Sequence, residues 1–240
     1  MERLIHQLPR FFSPGHLILL AEAMGTTLAL TLIGCTTGFL LAFLLVFFRR
    51  TPGILGFPLR LIAIFYVEIF RRIPFLVVTY LVLFFIQAFV SDASLFTIAV
   101  VAICIYATAY TADIIRGGFE SVARQQVEAA AAMNFGRWKT LVMVIVPQSW
   151  PVILPPAVAF AVGFIKDTAL VSQVGVFELT FRGKELNNEG FSGLLVFGTI
   201  AFLYFAMSYP LSRWGGWLER RLASSPSKRP EQRLRAAHRP

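Results

Sequence analysis

The stretch GGFESVARQQVEAAAAMNFGRWKTLVMVIVPQSWP, residues 117–151, joins two long apolar runs and decides how this chain is organised. Residues 128–133 are strong helix formers, so a short helix is predicted there. It should stop at Asn134, which tolerates the left-handed conformation that often ends a helix. A second short helix should begin near Gly136 and run to Pro147, where we expect a new chain direction. The stretch therefore predicts a polar, alanine-rich hairpin of two short helices.

Apolar runs occupy most of the chain on both sides of this hairpin. They extend over 17–48, 73–90, 95–115, 148–165 and 191–212. About 20 apolar residues suffice for one helical crossing of a bilayer, and backbone groups in hydrocarbon must be paired within the chain. Only 15% of the 240 residues are charged, against about 25% in ordinary soluble domains. We predict an all-α polytopic membrane protein with about five transmembrane helices and a two-helix hairpin, residues 117–147, between helices three and four.

The distribution of Lys and Arg predicts the orientation. With the N-terminus outside and the C-terminus in the cytoplasm, seventeen of the 22 Lys and Arg residues lie inside, including the five between positions 49 and 72. The five outside are Arg3, Arg10, Lys166, Arg182 and Lys184. This matches the positive-inside rule. The resulting division is an extracytoplasmic segment (1–16), a transmembrane domain (17–215) and a basic, disordered cytoplasmic tail (216–240) that touches anionic lipid.

Several other functions are disfavoured by the same composition. The net charge of +9 follows from topology, so we expect no nucleic-acid partner. Cys35 and Cys104 lie in apolar runs, where a thiol behaves as a small hydrophobe, and no disulfide framework is indicated. His6, His16 and His238 lack ligand-like spacing, so no metal site is predicted. The first apolar run is too long for a cleavable signal peptide.

The first helix of the hairpin has two readings. Ala129 to Ala132 give it a face with almost no side-chain bulk, which another protein's backbone can approach, and Glu128 adds one charge beside that face. Alternatively, it is an amphipathic surface helix whose alanines only favour helicity. Composition leaves both open.

The spacing within the hairpin resembles the EAA loop of bacterial ABC-importer permeases. The pattern begins with EAA at 128–130, has its turn residue at Asn134, and closes with Val144, Val146 and Pro147. The family usually has Gly at the turn position, and Asn is the replacement that a left-handed turn best tolerates.

Flanking motifs are similar to those of permeases of the histidine, glutamine and arginine transporter type. They are GTTL at 25–28, YVEIFRRIP at 66–74, AYTADIIRGG at 109–118, FIKDTAL at 164–170 and EL at 178–179. Together they cover roughly residues 25–180 in the family's order. The chain departs from the family at Arg72, Ile73, Gln125 and Ala159, which leaves the identity of the substrate open.

The resemblance implies the fold and coupling of a type I ABC importer. In such permeases the EAA helix fits a groove on a separate cytoplasmic ATPase dimer, and nucleotide-driven closure becomes alternating access. The implied contact residues here are Glu128, Ala129, Ala130, Asn134 and Gly136.

The resemblance also implies the other components of the transporter. They are a second permease copy or a similar permease subunit, an extracytoplasmic amino-acid-binding protein, and a bacterial inner membrane as the location. This chain has no phosphate-binding loop, because Gly183-Lys184 is followed by Glu185 and Glu178 stands where the first Gly of that motif would be. We therefore expect no cofactor on this chain, and ATP and Mg to be used by the partner ATPase.

Lys166, Asp167 and Thr168 are the candidates for the substrate pathway. Charged groups at membrane depth are costly and point to function. A zwitterionic amino acid needs one cationic and one anionic contact, which Lys166 and Asp167 can supply, with a hydroxyl from Thr168. The alternative is a local ion pair that ends the helix at the membrane surface.

Other charged residues are predicted to be structural. Asp113 lies one turn from Arg116, which favours a salt bridge, and Glu68 beside Arg71 and Arg72 favours a cytoplasmic interfacial pair.

Two other classes of function fit the sequence less well than the importer. An ion-coupled secondary transporter needs carboxylates in mid-membrane and usually an internal repeat, and the sequence offers only Asp113 and Asp167 and no convincing repeat. A membrane-embedded enzyme needs a nucleophile–base pair or a metal-spaced His cluster at membrane depth, and none is found in the sequence.

Overall fold

The computed structural model of the protein describes residues 2–50, 53 and 56–223, and these residues form helices and turns with no β-strand. The helices are α1 (Glu2–Phe11), α2 (Pro14–Arg49), α3 (Gly56–Phe70), α4 (Phe75–Phe89), α5 (Leu95–Glu120), α6 (Arg124–Ala132), α7 (Arg137–Thr140), α8 (Val146–Asp167), α9 (Leu179–Asn188) and α10 (Gly193–Ala223). A π-helical turn, Leu141–Ile145, precedes α8, and a 3₁₀-helix, Thr168–Val174, follows it. The predicted all-α class is confirmed.

Within the described part of the chain, four helical segments are long and apolar enough to cross a membrane, and a fifth crossing is formed if α3 and α4 count as one span. These four are Pro14–Arg49, Leu95–Glu120, Arg137–Val174 and Gly193–Leu222. The prediction of about five crossings therefore agrees with the structure.

The second crossing differs from the prediction. The apolar run at 73–90 forms only α4, whose 15 residues span about 22 Å, less than the roughly 30 Å hydrocarbon core. The preceding segment, which lies outside the apolar runs predicted to cross the membrane, contains the apolar helix α3, which meets α4 at an angle of 115°. Ala63 and Val67 of α3 are buried, so packing against the rest of the protein stabilises this helix.

Helices α2 and α5 form the centre of the fold. Gly38 of α2 is buried, and a side chain there would lie 2.7 Å from the Ala107 Cβ of α5. The hydroxyl of Thr111 donates a hydrogen bond to the Gly38 carbonyl oxygen over 3.0 Å. Small residues thus let the two backbones approach closely, as is common between membrane helices.

The chain continues as helix through Pro147, where a change of direction was predicted. α7, the π-helical turn and α8 follow one another without a loop. Pro147 lies in the first turn of α8, where the missing N–H costs little, and Pro151, Pro155 and Pro156 follow inside the same helix. The π-helical turn absorbs one extra residue just before the first of these prolines.

The N-terminal segment docks on the loop between α9 and α10. The Gln7 side chain donates to the Gly190 carbonyl and accepts from the Ser192 N–H, over 3.1 and 2.8 Å. Phe11 is fully buried and contacts Phe191 edge to face. Gln7 and Phe11 therefore hold α1 against the end of the bundle that contains the α9–α10 loop.

The last helix is longer than predicted. α10 continues to Ala223, past residue 215, so the first part of the predicted disordered tail is helical. Residues 224–240 lie outside the described part of the chain, and their disorder stays a prediction.

We expect Gly38→Val to destabilise the α2–α5 contact, because the added methyl groups collide with the Ala107 backbone and side chain. Overpacking of this kind typically costs about 1–3 kcal/mol. Thermal unfolding of the purified protein in detergent measures the loss. Gly25→Val in the same helix is the matched control, since nothing lies within 4 Å of a Cβ there, and an equal loss in both variants would contradict the packing account.

Candidate functional site

The hairpin is formed by α6 and α7, which are joined by a left-handed turn at Asn134. Asn134 has φ of 57°, the only positive value at a non-glycine residue in the described part of the chain. The Asn134 N–H donates to the Ala131 carbonyl over 2.9 Å, and the Phe135 N–H donates to the Ala130 carbonyl over 3.0 Å. This is the Schellman arrangement that ends a helix. The predicted left-handed stop at Asn134 is confirmed, and Gly136 begins the second helix as the N-cap of α7.

The alanines of α6 do not all face outward. Ala129 is exposed, whereas Ala130 is 4% exposed and faces the rest of the protein. Four consecutive residues of a helix span more than one face, so the smooth face predicted from the sequence is divided. Ala129, Ala131 and Ala132 are exposed, and the exposed surface also includes two large apolar side chains, Met133 and Trp138, which are 68% and 65% exposed.

Glu128 lies on the same outward surface. Its carboxylate accepts a hydrogen bond from the Arg124 guanidinium over 2.8 Å, one turn earlier in α6. Both side chains are largely exposed, at 61% and 90%, so the pair adds little to stability and is available to a partner.

The inner face of the hairpin is tied to the transmembrane helices. Val127 and Leu141 pack against a cluster that includes Ile115 and Phe119 of α5 and Ile145 of the π-helical turn. Movement of the hairpin therefore has to move or repack the adjacent ends of these helices.

A network of charged residues lies near the base of the hairpin. Asp113 contacts Arg116 in the same helix over 2.7 Å and Arg71, between α3 and α4, over 2.9 Å. Arg116 also contacts Glu120 over 2.7 Å. The predicted Asp113–Arg116 salt bridge is confirmed, and the network joins the motifs at 66–74 and 109–118.

The predicted pairing at Glu68 is only partly as expected. Glu68 pairs with Arg72 over 2.8 Å, one helical turn away and largely exposed. Arg71 turns instead to Asp113, and its guanidinium lies 5.7 Å from the centre of the Tyr110 ring. The sequence contained both arginines but no signal for which one points inward.

The three candidate pathway residues are placed differently from one another. Lys166 is exposed and Asp167 is half-buried, and no ion pair within 4.0 Å joins them in the described structure. The alternative prediction, a local ion pair between Lys166 and Asp167, is therefore not formed in this structure. Thr168 is fully buried and donates its hydroxyl to the Ile165 carbonyl over 2.7 Å, so its hydroxyl is not directed to a ligand here.

Lys166 lies at one end of an exposed face of α8. The other exposed residues of this face follow helical spacing and are Gln148, Val152, Pro156 and Ala159. Apart from the two end residues, the face offers no polar side chain, so Lys166 is the charged group that a neighbouring molecule would meet along it.

Aromatic rings fill the interior between Asp167 and the Arg71–Asp113 pair, a feature that sequence reasoning missed. Phe164 stacks on Phe160 over 5.3 Å, and Phe160 stacks on Tyr110 over 5.6 Å. These rings recur every four residues on α8, a spacing that is visible in the sequence but common to any packed core.

A second missed feature is the buried carboxylate of Glu178. It is 0% exposed, caps α9 by accepting from the Phe181 N–H over 2.8 Å, and accepts from the Tyr204 hydroxyl of α10 over 2.7 Å. Burial raises the pKa of this carboxyl above its usual range, and the hydrogen bonds oppose that shift. Glu178 thus fixes α9 to α10. Among the described residues, no three His, Cys, Asp or Glu side chains cluster.

Comparison with known proteins defines the class. The structure matches a solved amino acid ABC transporter "with histidines" at a TM-score of 0.78 and 29% identity, covering 86% of this chain and 95% of the other. The fold is that of a type I ABC-importer permease.

The family follows from the sequence. Residues 52–224 match the family "Binding-protein-dependent transport system inner membrane component", and the chain belongs to it. The glutamine transport system permease protein GlnP of Escherichia coli K12 is 34% identical over 206 residues, which is 85% of this chain and 93% of GlnP. The L-cystine transport system permease protein TcyB of Bacillus subtilis 168 is 32% identical over 197 residues, 82% of this chain and 83% of TcyB. The family is a membrane-spanning transport component and is not itself catalytic.

We expect the turn at Asn134 to accept Gly and reject Val. Asn134→Gly keeps the left-handed conformation, whereas a β-branched residue there costs roughly 1–2 kcal/mol or more. Limited proteolysis of the hairpin should show faster cleavage in Asn134→Val than in Asn134→Gly or the parent. Gly136→Ala is the control, because Gly136 has an ordinary φ of −64° and open space at its Cβ position. Equally fast cleavage in Gly136→Ala would contradict the account that the left-handed turn at Asn134 causes the effect.

Proposed function

We propose that this chain is the permease subunit of an ABC importer that moves a polar or charged amino acid, or a close analogue, across the inner membrane by alternating access. The single observation that carries the proposal is the α6–α7 hairpin. It presents an exposed surface of one carboxylate, small residues and two large apolar side chains, while its inner face is packed on the inner ends of the membrane spans.

The hairpin surface supports docking of a separate ATPase subunit. Glu128, Ala129, Asn134 and Gly136 are exposed and can touch such a partner directly. Ala130 faces inward, so its role in coupling is to let α6 lie close to the protein. ATP and Mg belong to the ATPase dimer in this scheme.

The hairpin is connected to the rest of the membrane domain through α5. Val127 and Leu141 make apolar contacts with α5. Asp113 of α5 in turn forms an ion pair with Arg71, which ties the α3–α4 bend to the same helix. Because packed and ion-paired elements shift as units, a push on the hairpin becomes a rigid-body movement of several helices.

A complete pathway requires a second permease. This chain has at most five spans among its described residues, and α8 leaves one face exposed that ends at Lys166. A second copy or a similar subunit facing α8 would enclose a pathway, with Lys166 and Asp167 available to the carboxylate and ammonium of an amino acid. Thr168 supports the backbone of this segment in the present conformation.

The substrate class is supported by the relatives. GlnP and TcyB are named for glutamine and cystine, both polar amino acids. We infer that an extracytoplasmic binding protein makes much of the selection. The N-terminus lies outside and the C-terminus in the cytoplasm in this proposal, as the Lys and Arg distribution favours.

We expect Glu128→Arg to leave the protein inserted but to abolish association with the ATPase, because it reverses the charge of the docking surface and repels Arg124. Co-purification of the ATPase with the tagged permease measures this. Glu68→Arg is the control, since Glu68 also forms an exposed pair one turn along its helix. Recovery of the intact complex with Glu128→Arg would remove the hairpin surface from the docking role.

We expect Asp167→Asn to lower ATP-driven amino-acid uptake at least tenfold while the complex still assembles, because the half-buried carboxylate is replaced by a neutral group of the same size. Uptake into proteoliposomes loaded with ATP is the measurement. Asp92→Asn, an exposed residue between α4 and α5, is the control. Unchanged uptake in Asp167→Asn would exclude this residue from the pathway, and uptake that needs an ion gradient but no ATP would overturn the importer.

A further inference from the structure

A cavity separates the hairpin from the end of α2. Its volume is about 640 Å³, within the roughly 300–1,000 Å³ of sites for small molecules. Phe47, Val127, Leu141 and Ile145 form apolar walls, and Arg50 and Arg137 contribute charge. Trp138 borders both this cavity and the exposed hairpin surface, whereas Glu128, Ala129, Asn134 and Gly136 do not line the cavity.

The charge of the cavity is positive. Among the described residues, neither Arg50 nor Arg137 has a carboxylate within the 4.0 Å of an ion pair. The nearby carboxylate of Glu120 acts on Arg50 through the electrostatic field, but its ion pair is with Arg116. The Arg50 guanidinium lies over the ring of Phe119, 5.2 Å from its centre. No acidic side chain lines the cavity, so an anion is the complementary ligand.

The position of the cavity indicates which kind of anion is suited to it. Arg50 directly follows the span that ends at Arg49, while Leu141 and Ile145 belong to the span that begins at Arg137. Basic side chains at the membrane surface therefore stand beside apolar walls that continue into the hydrocarbon. Trp138, which contacts Phe47 edge to face, suits the same interface.

We propose that this cavity binds one anionic phospholipid of the cytoplasmic leaflet. Arg50 and Arg137 hold the phosphate, and the upper part of an acyl chain lies along Phe47, Leu141 and Ile145. Basic pockets between membrane helices on the cytoplasmic side are suited to such headgroups. A protein partner is less well matched, because Phe47, Leu141 and Ile145 belong to helical segments apolar enough to span the membrane, although Val127 belongs to the hairpin. The lipid would brace the hairpin against α2, independently of any ATPase.

The test measures lipid retained by the purified full-length protein. The protein is reconstituted in nanodiscs of phosphatidylglycerol and phosphatidylcholine in equal amounts, re-extracted, and its bound lipids are counted by native mass spectrometry. We expect selective retention of phosphatidylglycerol, lowered roughly tenfold in the Arg50→Gln/Arg137→Gln double variant. Arg60→Gln/Arg220→Gln is the control of equal charge, since both residues are exposed and lie outside the cavity.

A second variant keeps the proposal falsifiable if the double variant fails to fold. Ala131→Leu places bulk in the cavity and leaves every charge intact, and we expect it also to lose phosphatidylglycerol. Equal retention by the parent and the folded variants, or equal loss in the control pair, would overturn the site. Loss of ATPase co-purification with unchanged lipid retention would show that the cavity belongs to the ATPase interface, whereas lipid loss with the ATPase still bound would support the proposal.

Discussion

Helices α2 and α5 approach backbone to backbone at Gly38, and the rest of the structure is arranged around that contact. Gly38 lies against Ala107, and the Thr111 hydroxyl donates to the Gly38 carbonyl, so the two central spans act as one element. Lipid tails are as apolar as Leu, so apolar burial alone does not hold membrane helices together, and close packing has to do so. Because the hairpin packs on the inner end of α5, this contact also determines where the hairpin projects.

Carboxylates tie the remaining elements to this centre. Asp113 joins the α3–α4 bend to α5, and the buried Glu178 joins α9 to α10 by accepting from Phe181 and Tyr204. Isolated charges in an apolar environment are costly, so each carboxylate is stabilised by more than one donor. Asp113 and Glu178 lie on different segments of the chain. Because each holds two helical elements together, the linked helices can shift as a unit.

The proposed importer and the proposed lipid site use different parts of the same hairpin, and Trp138 borders both. Its outward surface, with Glu128 and Met133, is available to an ATPase, while the cavity behind it, with Arg50 and Arg137, is suited to an anionic headgroup. A short helical pair is only marginally stable by itself. Its value as a coupling element depends on support from α5 and, in our proposal, from the bilayer.

The sequence by itself determined the features that depend on local chemistry. Continuous apolar runs identified the membrane helices, and the tolerance of Asn for positive φ identified the turn at Asn134, since both follow from residues within one segment. Only the tertiary structure decided that Ala130 faces inward, that Arg71 rather than Arg72 pairs with Asp113, and that Thr168 is buried. These outcomes depend on which helices meet and at what angle, above all the 115° bend between α3 and α4, and contacts between distant segments leave no periodic signal in a single sequence.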